Sequence, residues 1–316
     1  DVLGSRGLGD VYKRQAMGGR LTPEELQRRI HAAGYDRPLV VQYLDYLGGL
    51  LRGDLGTTLT DNQPVTTILT RYGAATFELA FLSLIVALIV GIGLGRLAAR
   101  RRDHAADAGI RVFAILCYAT PVFFLGLMLK LVFAVWLNVL PPSGRSSFAS
   151  DMQFQRLVSP TGFYIIDAFQ LGDMSVLVDV LRHAVLPALA LGLLTAGVFI
   201  RLVRTNVIST YTSGYVEAAR SRGVSEGRLL SKHAWRPAMI PIITVMGMQI
   251  ALMLAGAVLT ETTFEWKGLG FMLSQYLKQR DFVAVQGIVI LIAIIVAVVN
   301  FIVDVISALI DPRVRY

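Results

Sequence analysis

Few residues in this chain have types and spacing that could do bond chemistry. GVSEG, Gly223 to Gly227, matches the G-x-S-x-G pattern that seats a nucleophilic serine on a sharp strand-to-helix turn. That chemistry needs a preceding strand and later Asp and His partners, whereas the flanks of GVSEG are patterned as helix. Ser225 is therefore read as the cap of a following helix. His31, His104, His183 and His233 are scattered, with no H-E-x-x-H pair and no nearby carboxylate at ligand spacing, so no metal site is expected. Cys117, the one cysteine, lies in an apolar stretch and is read as a small core residue. No lysine follows a glycine, so the phosphate loop G-x-x-x-x-G-K-[ST] is absent. A catalytic role and a bound cofactor are not expected of this chain.

The other candidates are polar groups inside apolar runs: Lys130, Gln249, Asn300 and Asp304. Such residues are expensive in a membrane and often functional. Asp304, near one end of its run, is open to pairing with a basic residue, and Lys130 is long enough to snorkel outward. A structural role or a place on a solute path stays open for each. Together they suggest a helical bundle with a wet interior.

Composition says what must position these groups. Of 316 residues, 54% are hydrophobic and 16% charged, with mean hydropathy +0.59. Soluble domains carry about 25% charged residues, so this balance belongs to membrane proteins. Apolar runs of about 20 residues, the length of a transmembrane helix, occur at Ala75–Ala98, within Ile110–Leu140, and at Ala184–Val203, Ala238–Thr260 and Phe282–Leu309. About five helical spans follow, with a kink or break expected at Pro121. Gly91 and Gly95, in GIGLGR, make a small-xxx-small face for close helix packing.

The formal charge of +8 maps onto topology, not onto nucleic acid. Arg96, Arg100, Arg101, Arg102 and Arg111 separate the first two spans, a basic stretch separates the next-to-last pair, and Arg313 and Arg315 follow the last span. Pro141 to Arg182 instead carries Asp151, Asp167, Asp173 and Asp179, and Glu261 to Asp281 is roughly balanced. The basic loops and the C-terminus are therefore expected in the cytoplasm. Residues 18–73 are expected outside, with a short helix from Thr22 to Gly34, and 74–316 as the transmembrane domain. Residues 1–17 contain neither an apolar signal core nor a span, and are read as foreign or misassembled sequence standing where a leading span is missing.

The basic stretch is GYVEAARSRGVSEGRLLSKHAWRP, Gly214 to Pro237, within a loop spanning 209–237. Thr212, Ser213 and Gly214 stop the preceding helix. Tyr215 to Arg222 make two helical turns with Tyr215, Ala218 and Ala219 on one face. Gly223 supplies a left-handed turn, a second helix runs toward Trp235, and Pro237 opens the next span. A plain connector would be shorter.

EAARSRG, Glu217 to Gly223, resembles the EAA loop of binding-protein-dependent ABC transporter permeases. RGDLGTTL (Arg52 to Leu59), ATFELA (Ala75 to Ala80), HAVLPALALGL (His183 to Leu193), HAWRPAMIPIIT (His233 to Thr244), ETTFEWKGLG (Glu261 to Gly270) and DPRVRY (Asp311 to Tyr316) resemble the dipeptide/oligopeptide/nickel branch. The likeness runs from about Leu21 to the end. Lys267 and Pro237 depart from it, standing where the branch usually has Pro and Asn, and the family's first span has no counterpart.

The resemblance implies an all-α polytopic bundle of the ABC importer permease type, with six spans in a complete member. It implies a bacterial inner-membrane protein that forms the translocation path and couples to a separate ATPase through Tyr215, Glu217, Ala218, Ala219, Arg220 and Gly223. Implied partners are a second homologous permease, two cytoplasmic ATPases that bind ATP and Mg²⁺, an extracytoplasmic solute-binding protein and membrane lipid. Dipeptides, oligopeptides and nickel complexes all fit this branch. An ion-gradient-driven secondary transporter is the alternative; it should show inverted repeats and mid-span carboxylates, which are not clear in the sequence.

The charge pattern makes a topology prediction. In a Cys117→Ala background, Arg101→Cys and Ser225→Cys should be shielded from an impermeant thiol reagent in intact cells, and Ser147→Cys should react. Reaction at Ser225→Cys from outside would reverse the orientation.

Overall fold

The computed structural model describes residues 38–310, and the described residues fold as helices joined by short loops, with one isolated bridge between Thr57 and Pro64. The helix expected from Thr22 to Gly34, residues 1–17 and the C-terminal arginines lie outside the described residues. Helix α1 spans Leu39–Leu51, and α2 runs from Val65 to Arg100. Residues 65–73 are helix continuous with the first expected span, a start that the sequence reading did not include. Polar Thr66, Thr67, Thr70 and Arg71 dilute the apolar signal there. The buried side chains Val65, Ile68 and Leu69 nonetheless pack with Leu269, Tyr276, Ala284 and Ile288.

Helix α3 (Ala105–Ala119) and α4 (Val122–Leu129, extended by a π-helical stretch Lys130–Trp136) meet at a bend of 109°. The break falls where the sequence places it. Pro121 forces Thr120 into an extended conformation (ψ 128°), which a helix cannot continue. Short helices α5 (Phe148–Phe154) and α6 (Tyr164–Leu171) then lead into α7, Met174–Tyr211. After α8 (Gly214–Ser221), the short α9 (Glu226–Arg228) passes through a second π-helical stretch, Leu229–Ala234, into α10, Trp235–Phe264. The last two helices are α11 (Leu269–Gln279) and α12 (Phe282–Ile310).

Among the described residues four helices are long and apolar enough to cross a membrane, and the bent α3–α4 pair passes the same test when its two halves are taken as one span. At 1.5 Å per residue, α2 and α7 are each roughly 55 Å long, against about 30 Å of bilayer hydrocarbon. Both therefore project beyond it. Helix α7 is the axis: 61% of its apolar window is buried, compared with 17% for α12.

Small residues bring the other helices onto that axis. A Cβ on Gly91 would lie 2.5 Å from Phe199 Cβ, and one on Gly95 would lie 2.7 Å from Val203 Cβ and 3.0 Å from the Ile200 carbonyl oxygen. Gly197 of α7 meets the backbone of α3 at Ala114 and Tyr118, beside buried Cys117. Apolar side chains of α2, α4, α7 and α10 then form one core with Trp266, including Leu79, Val122, Leu191 and Met253.

Side-chain ties sort the helix ends into two faces. At one face Arg204 of α7 donates to both oxygens of fully buried Asp107 at the start of α3, at 2.6 and 2.7 Å, and Arg96 lies 5.1 Å from the Trp235 ring. The basic loops gather here. At the other face the start of α12 is fastened to the Thr57–Pro64 turn, where Thr60 donates twice to Asp281. The consecutive spans thus run antiparallel, as alternation requires.

The close approach of α2 and α7 makes a prediction. Gly91→Ala and Gly95→Ala should each lower stability in detergent by about 1–3 kcal/mol through overpacking. Gly93→Ala, whose Cβ would meet nothing within 4 Å, should be neutral or slightly stabilising. Thermal unfolding checks the contrast, and equal behaviour of all three would refute the packing account.

Candidate functional site

The site at the basic end is built from the end of α7, α8 and the entry to α10. α7 stops at Tyr211, and Thr212 and Ser213 turn the chain. Helix α8 is amphipathic, which decides its orientation. Val216 and Ala219 are buried against Leu229, with Tyr211 and Val224 around them. Tyr215, Glu217 and Ala218 are exposed. This corrects the expected shared face: Ala219 points inward, because successive residues on a helix are about 100° apart.

Gly223 ends the unit with φ 79°, in the left-handed region, and its N–H donates to the Arg220 carbonyl. The next N–H, of Val224, reaches back to the Ala219 carbonyl at 3.3 Å. Ser225 stands at the following N-cap; its carbonyl accepts from Arg228 and Leu229, but its hydroxyl makes no capping bond. No strand precedes it, so the serine-elbow geometry is absent. Pro237 falls inside the first turn of α10, not before it, because the helix is entered through the π-helical stretch.

Arg220 is the knot of this region. Its Nε donates to Glu226 Oε1 at 2.8 Å, Nη1 to Glu217, and its guanidinium stands 5.0 Å from the Tyr211 ring; the Tyr211 hydroxyl donates to Glu226. The bonds from Arg220, then from Tyr211, hold the Glu226 carboxyl below its ordinary range. Tyr211 ends α7 and Glu226 begins the helical entry to α10. The network therefore fastens α8 to both.

The polar residues expected on a path are not brought together. Half-buried Lys130 donates to the Thr263 carbonyl at 2.9 Å and lies 5.5 Å from the Phe264 ring, tying α4 to the far end of α10. Gln249 on α10 and Asn300 on α12 are half-buried, with no hydrogen bond to protein among the described residues. The side chains of Asp304, Lys232, His233 and Arg236 lie outside the described residues.

The far end holds charges that the sequence reading did not single out. Glu78 of α2 is buried; it accepts Arg145 Nη2 at 2.6 Å and the Ile165 N–H at 2.8 Å. Fully buried Glu261 accepts Thr76 Oγ1 at 2.6 Å and the Phe271 N–H at 2.9 Å, while Trp266 Nε1 donates to the Ala75 carbonyl. So ATFELA and ETTFEWKGLG, far apart in the chain, touch. Their carboxylates at the rims of apolar runs were the signal available. His183 also has a carboxylate neighbour after all: Asp179, one turn earlier, approaches its Nδ1 at 3.3 Å and accepts the Ser147 N–H. That pair anchors the loop before α5.

Comparison with known proteins agrees with this layout. The family model described as "Binding-protein-dependent transport system inner membrane component" matches residues 91–316. The di/tripeptide transport system permease protein DppB of Pseudomonas aeruginosa (strain UCBPP-PA14) is 37% identical over 297 residues, 94% of this chain and 87% of that protein. The dipeptide transport system permease protein DppB of Escherichia coli (strain K12) is 37% identical over 309 residues, covering 98% and 90%. The one from Alkalihalophilus pseudofirmus is 32% identical over 300 residues, covering 95% and 89%. Among solved structures, the MetNI methionine ABC transporter in an inward-facing form superposes with a TM-score of 0.58 at 14% identity, over 78% of this chain and 97% of that one, which speaks for the fold alone. With two thirds of its residues under the family model and relatives of this similarity along nearly its whole length, the chain belongs to the binding-protein-dependent inner-membrane components, the permease subunits of ABC importers.

Proposed function

We propose that this permease moves short peptides inward across a bacterial inner membrane and that all nucleotide chemistry resides on partner subunits. Its relatives include a di/tripeptide and a dipeptide transport permease, which supports the solute class. The partners in this reading are a second homologous permease, two ATPases holding ATP and Mg²⁺, and an extracytoplasmic solute-binding protein. The basic end and the C-terminus face the cytoplasm, where Lys and Arg concentrate in short loops.

One observation carries the coupling role. α8 presents an exposed face at the basic end, while its inner face and Arg220 bind it to both α7 and the entry of α10. A push on such a helix acts on both spans. Glu217, Ala218 and Tyr215 form the surface offered to an ATPase, with Ala219 and Arg220 as its fastening and Gly223 as its corner. ATP-driven closure of the ATPases would draw two such helices together and swing the spans between inward-open and outward-open states. Gln249 and Asn300 line the solute path or the second permease, since an amide without a partner is costly against lipid.

Gly223 tests the assignment. Its Cβ would meet nothing within 4 Å, so a substitution there acts through backbone strain and not through collision. Gly223→Val should abolish uptake and solute-stimulated ATP hydrolysis at equal membrane expression, because β-branched residues are strongly disfavoured at positive φ. Gly223→Asn, which tolerates that conformation, should keep most activity. Glu217→Lys should impair coupling more mildly. Wild-type uptake by Gly223→Val would reduce the stretch to a connector.

A further inference from the structure

A cavity of about 660 Å³ opens at the end of the bundle opposite the basic loops. Its walls are the start of α2, the loop between α4 and α7, and the turn after α10. The volume lies within the roughly 300–1,000 Å³ typical of small-molecule sites. Three cations, Arg71, Arg145 and Lys267, and three carboxylates, Asp151, Asp167 and Glu265, line it.

Arg145 is 8% exposed, yet only its Nη2 is engaged, by Glu78 and by the Gly162 carbonyl at 3.0 Å. Its Nε is buried without a partner, and among the described residues no protein acceptor takes Nη1. The guanidinium plane is held by the Tyr164 ring at 3.7 Å and the Trp266 ring at 5.4 Å. Among the described residues, solvent-exposed Arg71 meets the Tyr72 ring, at 5.7 Å, and solvent-exposed Lys267 meets no carboxylate. The wall acids are mostly answered: Asp167 accepts from Thr161 and Gly162, and Asp151 from Ser146. Exposed Glu265 alone among them stands without such a donor.

The open Nη1 of Arg145, beside solvent-exposed Arg71 and Lys267, offers charge-assisted donors to a carboxylate. Tyr164 and Phe154 add apolar wall for a side chain. We propose that this cavity receives the free α-carboxylate of a short peptide, with Arg145, Arg71 and Lys267 around the carboxylate and Glu265 facing the peptide's ammonium group. The proposal rests on the peptide reading above. It makes the cavity a way-station between the solute-binding protein and the path.

Arg145 is a poor probe because its loss would strand buried Glu78, so the test uses the rim. The whole permease–ATPase complex, without its solute-binding protein, is titrated with dialanine and with dialanine C-terminal amide, and binding is read by saturation-transfer NMR. Dialanine should bind, the amide roughly tenfold more weakly, as expected for loss of a charge-assisted contact. An Arg71→Ala/Lys267→Ala double variant should show the same loss for dialanine, whereas Lys267→Arg should retain binding. No dialanine signal with the wild type, equal affinity for peptide and amide, or undiminished binding by the double variant would overturn the site. So would a double variant that loses only capture of the solute-binding protein, which would make the cavity a protein-docking surface. Uptake of dialanine by the full transporter is measured in parallel. Uptake with no carboxylate-dependent binding sinks the site and spares the peptide reading, and carboxylate-dependent binding without peptide uptake does the reverse.

Discussion

The structure depends on how closely α2 and α7 approach. In lipid, apolar surface gains nothing by leaving one hydrocarbon neighbour for another, so helices associate through packing and polar contacts. Gly91 and Gly95 on one helix, and Gly192 on the other, let side chains of the partner seat against bare backbone: Phe199 and Val203 on α2, Val86 on α7. Once these two long helices are joined, the rest is arranged around them. α3 closes on α7 through Gly197, and α4 and α10 complete the core around Trp266.

Charge then fixes the ends that packing leaves free. Asp107 and Arg204 lock the start of α3 to the end of α7, and Glu78 and Arg145 lock the loop between α4 and α7 to α2. Buried ion pairs are weak sources of net stability, because desolvation offsets much of the attraction, but they penalise every arrangement that separates the partners. Their value here is in register. Each joins segments distant in sequence, and each lies at a rim where one slipped turn would leave a charge unpaired.

Much of this was legible in the sequence. Four of the apolar runs became long apolar helices and the fifth a pair bent at Pro121, and Gly91 and Gly95 became a packing face, because each signal is local: length, backbone chemistry or residue size. The hinge at Gly223 was readable for the same reason. The family of importer permeases displaces the ion-gradient-driven alternative, and it was visible in EAARSRG and the stretches around it. What was not legible depends on distance in the chain. Nothing near Glu78 announces Arg145, and nothing in ETTFEWKGLG announces that Glu261 bonds to Thr76. The inward turn of Ala219 was missed because Leu229, which it packs against, arrives from beyond the hinge. The helical start of α2 was missed because its partners, α11 and α12, come more than two hundred residues later.

These contacts also say where the molecule is stiff and where it can give. The α2–α7 pair has backbone against side chain along several turns, so the two helices move as one body. Outside the Gly192–Val203 stretch of α7 that packs on α2, helical regularity is interrupted at Pro121, at Pro187 within α7 and Pro241 within α10, in the π-helical stretch Lys130–Trp136, and in the stretch Leu229–Ala234 at the entry to α10. Such departures mark kinks and are enriched at functional positions. α8 is fastened on both sides of this division, to the end of rigid α7 through Tyr211 and to the π-helical entry of α10 through Glu226 and Leu229. A displacement of α8 thus meets a stiff helix on one side and a compliant junction on the other. In the coupling role proposed for α8, this difference would convert a push at one end of the bundle into a change of angle between α10 and the α2–α7 body.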